Sequence, residues 1–95
     1  MSNESYHKPI NELANETKAM HRAINTLMEE LETIDWYNQR IDAYNNEELK
    51  ATLAHNRDEE NAHAAMLQEW IRIRDPVFDQ KLEDYILTDK PISHE

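Results

Sequence analysis

Glu60-Asn61-Ala62-His63 sets a carboxylate and an imidazole three residues apart, and a further carboxylate, Glu30, precedes them in the chain. Side chains at that spacing project from one face of a helix, so Glu60 and His63 can reach a common ion if a helix carries them. Oxygen and imidazole ligands suit iron, manganese, zinc or calcium, and several Glu with one His lean toward iron or manganese. In helix-bundle di-iron sites two helices each give a Glu, and two others each give a Glu-x-x-His. One copy of this chain holds half of that set. The expectation is a di-iron centre completed by a dimer or larger homo-oligomer, with iron oxidation as its chemistry.

Hydrophobic periodicity shows which elements would position these residues. After a polar arm, residues 1–8, Leu13, Met20, Ile24, Leu27, Leu31, Ile34 and Ile41 recur in steps of three, four or seven, which predicts a helix over 9–41. Asp42-Ala43-Tyr44-Asn45-Asn46 breaks the pattern, and Asn46 before Glu47-Glu48 reads as the cap of a second helix, 47–74. So short a connection makes the two helices antiparallel neighbours. Asp75-Pro76 has the form of a cap followed by proline at the first helical position, opening a third helix over 76–87. The residues from 88 to 95 read as a loosely ordered tail. The predicted fold is a single all-α domain: an antiparallel hairpin plus a short C-terminal helix, with a four-helix bundle completed by dimerisation.

On the second helix, Leu49, Leu53, Asn56, Glu60, His63, Leu67 and Trp70 follow one another in alternating steps of four and three. Glu60 and His63 therefore fall on a seam read as inward. On the first helix Ala23, Leu27, Glu30, Ile34, Tyr37 and Ile41 form a matching stripe. A carboxylate on such a stripe needs a counter-charge or a metal, because burying it unpaired is costly. Arg22 and Arg57 are the alternative partners. Tyr37 reads as a hydrogen-bond or electron donor near the metal, or as a core tyrosine. Glu29 and Glu32 share a separate face, which could hold a hydrated cation such as calcium or be a solvated acidic surface. Glu4-Ser5-Tyr6-His7 repeats the Glu-x-x-His spacing in the arm, where no helix aligns the side chains, and is read as a chance match. His7, His21 and His55 are read as surface or packing residues, and Trp36 and Trp70 as packing anchors.

Composition excludes other chemistries. The chain has 95 residues, no cysteine and no glycine, which removes thiolate and iron–sulfur sites and the glycine loops of phosphate and dinucleotide binders. A formal charge of −10 argues against nucleic acid and favours cations. Neither a membrane-span run nor a signal-peptide pattern is visible, so the expectation is a cytoplasmic, soluble chain with no membrane partner.

His21-Arg22-Ala23-Ile24, Met28-Glu29-Glu30-Leu31-Glu32 leading into Asp35-Trp36-Tyr37, and Leu53-Ala54-His55-Asn56-Arg57-Asp58-Glu59-Glu60 with His63-Ala64-Ala65-Met66 together resemble the encapsulated ferritins, the ferritin-like cargo of encapsulin nanocompartments. The resemblance runs from about His21 through Ile92. It implies dimers stacked into a ring of five, with Glu30, Glu60 and His63 as ferroxidase ligands from both subunits and Tyr37 beside them. It also implies that Glu29, Glu32 and Trp36 line the route by which metal reaches the site, and that an encapsulin shell is the partner and location. Members usually carry a C-terminal peptide that docks to the shell; none is visible before Glu95. Two readings compete with a ferroxidase. One is a helical adaptor stapled by zinc or calcium without redox turnover, and the other is a bundle whose buried Glu and His form a hydrogen-bonded network.

Overall fold

The computed structural model describes residues 6–95. Glu4 and the rest of the arm before Tyr6 lie outside the described residues. Every regular element among those described is helical: a 3-10 turn at Ile10–Glu12, then α1 (Asn15–Ala43), α2 (Glu47–Arg74) and α3 (Pro76–Tyr85). α1 and α2 form the antiparallel hairpin, and α3 packs on α2.

Capping chemistry sets most of the boundaries. Asn46 Oδ1 accepts from Leu49 N at 2.9 Å, and Glu47 and Glu48 in the first turn of α2 complement its dipole. Asp75 Oδ1 accepts from Val77 N at 3.1 Å and Phe78 N at 3.0 Å, with Pro76 entering α3 where its missing N–H costs nothing. α1 departs from the sequence expectation, beginning at Asn15 instead of Pro9. Pro9 opens a separate turn closed by Glu12 N to Pro9 O at 2.9 Å. Leu13 and Ala14 are then extended, so the turn does not feed into the helix.

At the other end α3 stops at Tyr85, earlier than periodicity suggests, and the chain after it folds back along the helix. Leu87 has φ 56, a left-handed conformation that costs a bulky L-residue about 1–2 kcal/mol. It turns the chain back, and Tyr85 Oη donates to His94 O at 2.8 Å.

The interior is small. Ala23, Ala64 and Ile71 are the buried apolar residues, with Asn25 beside them, and no described side chain is completely enclosed. Alanine where α1 meets α2 lets the backbones approach closely but buries little area. Ile24, Leu31 and Leu49, expected on inward faces, are exposed, as are Met28, Met66, Ile73 and Val77. The apolar arc of α1 is wider than one partner helix can cover, so 23, 27, 30 and 34 turn toward α2 while 24, 28 and 31 do not. The radius of gyration is 17.0 Å, against about 12 Å for a globule of this length. No described helix is long and apolar enough to cross a membrane.

Candidate metal centre

Glu30 and Glu60 are each fifteen residues from Asn45 in the hairpin turn. Antiparallel helices rise equally per residue, so equal distances along the chain bring both carboxylates to one level near mid-helix. His63 lies one turn beyond Glu60 on the same face of α2.

His63 Nδ1 is 3.8 Å from Glu30 Oε2 and 3.8 Å from Glu60 Oε2. One ligating atom from each of the three residues lies within 4.8 Å of the other two. These gaps are too long for hydrogen bonds. A triangle with such edges has a centre roughly 2.5 Å or less from each corner, the reach of oxygen and nitrogen ligands to a divalent ion.

The donor set fits a cation on a second count. Glu30 Oε2 is buried with no hydrogen-bond partner, a costly state for a carboxylate oxygen. Among the described residues neither Glu30 nor Glu60 is paired with Lys or Arg. Arg57, one of the alternative partners read from the sequence, donates instead to Asn38 Oδ1 at 3.1 Å and Asp58 Oδ1 at 3.3 Å. Arg22, the other, is exposed and forms no ion pair among the described residues.

The three residues are unevenly covered. The Glu30 and Glu60 side chains are 21% and 25% exposed, whereas that of His63 is 51% exposed. His63 thus sits at the lip of the groove between α1 and α2 and not on a closed seam, because among the described residues nothing covers that side. Tyr37, two turns along from Glu30, is half-buried. Glu29, Glu32 and Trp36 are exposed on α1 and do not join the ligating cluster. Trp36 lines a shallow surface hollow with Gln39 and Arg40, so its reading as a packing anchor does not hold within one chain.

The other histidines are placed differently. His55 Nε2 is 3.6 Å from Glu59 Oε1 in an exposed pair along α2. The His21 ring lies 4.3 Å from that of Tyr6, with Nε2 buried and unbonded. His94 is engaged by backbone carbonyls. Sequence reasoning did not single it out, since neither its neighbours nor its spacing mark it.

The EncFtn-like family model matches residues 5–89. An encapsulated ferritin-like protein of Rhodospirillum rubrum is 51% identical over 92 residues, covering 97% of this chain and 66% of that protein. The chain thus spans just under two thirds of that relative's length. An encapsulin nanocompartment cargo protein of Myxococcus xanthus is 41% identical over 70 residues, which are 70% of this chain and 54% of that one. The crystal structure of a Nitrosomonas europaea protein superposes with a TM-score of 0.91 at 60% identity, over 96% of this chain and 100% of that one. A match that takes in α1, α2 and α3, with so close a superposition, means that the chain belongs to the EncFtn-like family.

Proposed function

We propose that this chain is half of a ferroxidase centre. Two copies bring their Glu30, Glu60 and His63 sets together across an interface, completing a four-helix bundle, and bind two Fe(II) as substrate. Each iron gives up one electron to dioxygen or peroxide; with dioxygen, the two electrons and two protons yield hydrogen peroxide. The observation that carries the reading is the buried, unpaired Glu30 Oε2 beside Glu60 and His63. Carboxylates hold both irons and favour the ferric product, while each His63 supplies a nitrogen that fixes one of them. Tyr37 is assigned as a hydrogen-bond or electron donor to this group.

Glu29, Glu32 and Trp36, exposed on α1 near Glu30, are assigned to the route by which metal arrives. A net charge of −10 concentrates cations around it, and calcium can occupy the acidic positions. Family membership and the Myxococcus cargo relative support an encapsulin shell as partner and a nanocompartment as the location; the assembly assigned to the chain is a ring of dimers, with ferric iron mineralised inside the shell.

Fe(II) added stepwise to the metal-free protein in air, followed by absorbance, tests this directly. A fast phase saturating near two irons per dimer is expected, and Glu30→Ala, Glu60→Ala and His63→Ala should each remove it. Glu32→Ala should change the rate and leave the stoichiometry. Wild-type rates in the three site variants would sink the assignment, and tight metal binding without oxidation would mark a zinc or calcium staple instead.

A further inference from the structure

Arg57 stands one turn before Glu60 on α2, and side chains three residues apart on a helix are neighbours, so its guanidinium has the reach to close on the Glu60 carboxylate. A guanidinium grips a carboxylate through two parallel hydrogen bonds, and a ligand held that way is lost to an incoming metal. The structure shows the opposite arrangement. Arg57 Nη1 donates across the hairpin to Asn38 Oδ1 on α1 at 3.1 Å, and Nε and Nη2 both donate to Asp58 Oδ1 at 3.3 Å. Glu60 is left with no Lys or Arg partner among the described residues. The Arg57 and Glu60 side chains are only 30% and 25% exposed, so solvent would do little to screen an ion pair between them.

We propose that Asn38 is a positioning residue that holds the Arg57 guanidinium off Glu60 and so keeps that carboxylate open to metal. This depends on Glu30, Glu60 and His63 binding a divalent ion, as proposed above, and not on the oxidation that follows. The two anchors of the guanidinium are unequal. Asp58 is the next residue on the same helix and is 69% exposed, and its bonds are just past the usual N–H···O range. Asn38 supplies the shorter bond from the other helix. Its amide oxygen is neutral, so it directs the guanidinium without adding a charge that would itself draw a cation from the ligands. Without that oxygen Arg57 keeps only its exposed neighbour, and the better shielded carboxylate one turn on becomes the stronger partner. An arriving ion must then displace the guanidinium, and its apparent affinity falls accordingly.

Co(II) titrated by calorimetry into the metal-free full chain reads this without any iron oxidation. Asn38→Ala should raise the dissociation constant about tenfold, the scale of one hydrogen bond to a charged group. Helicity should be unchanged, since alanine suits an exposed helical position. Arg57→Met alone should bind at least as tightly as wild type. Asn38→Ala combined with Arg57→Met should regain wild-type affinity, a rescue that a merely structural role of Asn38 does not allow. Wild-type affinity in Asn38→Ala, weaker binding by Arg57→Met alone, or a loss that persists in the double variant would overturn the role of Asn38 and leave the metal centre standing. No Co(II) binding by wild type, or undiminished binding by Glu60→Ala, would overturn the centre and the role of Asn38 together.

Discussion

Glu30 sets stability against binding within one side chain. Its Oε2 is buried and unbonded, so a neutral amide of the same shape should relieve the fold. Glu30→Gln is expected to stabilise the metal-free protein by about 1–2 kcal/mol while removing fast iron oxidation. Thermal unfolding in chelator beside an oxidation assay measures both, and a lower melting temperature in the variant would contradict the burial argument. His63 offers the converse case. Its half-exposed ring makes no close hydrogen bond, so His63→Ala should shift stability by less than about 0.5 kcal/mol yet lose activity. The triplet was legible in the sequence because an i, i+3 pair and a carboxylate on a matching stripe are local patterns. The exposure of His63 was not, since a seam in the sequence does not say whether its cover comes from the same chain.

Helix ends follow short-range chemistry, which is why Asn46 and Asp75-Pro76 could be recognised before any coordinates. Asp75→Ala should cost about 1 kcal/mol, seen as lost helicity and a lower melting temperature. The position of α3 depends on Arg72, which bonds Glu69 at 2.7 Å and Asp79 at 2.6 Å, joining α2 to α3. Those two carboxylates hold the guanidinium proton well above the ordinary arginine value, and the hydrogen bond from Arg72 draws Glu69 below its usual 4.5. A depressed carboxylate stabilises the fold above its unfolded value and loses that contribution as pH falls through the folded one. Acidification below 4.5 should therefore release the i, i+3 pair of Glu69 with Arg72 in the last turns of α2, and in Arg72→Gln that acid-dependent step in helicity should be absent. The start of α1 and the folded-back tail escaped the sequence reading for a shared reason. Both depend on backbone conformations, extended at Leu13 and Ala14 and left-handed at Leu87, that hydrophobic period does not encode.

At the scale of the whole chain, exposed surface is the dominant fact. The accessible area is 7592 Å², against about 5,700 Å² for a compact monomer of this mass. The difference is more than twice the roughly 800 Å² that each partner loses in a standard protein interface. Sequence periodicity identified the apolar positions but not which of them the chain itself covers, because covered and exposed positions obey one helical repeat. Ile24, exposed and well short of Glu30 on α1, tests whether the exposed ones meet a second copy. Ile24→Asp should leave helicity in place, lower the mass in solution by sedimentation, and abolish fast oxidation if the centre needs two copies.

The chain measures 50 × 39 × 19 Å, and its thin dimension is no more than about two helix diameters. It is a plate, with two faces and no lumen. Ferric ion set free at neutral pH hydrolyses and precipitates, so turnover on a plate fouls its own surroundings unless something takes up the product as fast as it forms. In reactor terms, a ferroxidase of this shape would be a catalytic wall that depends on a vessel built by something else.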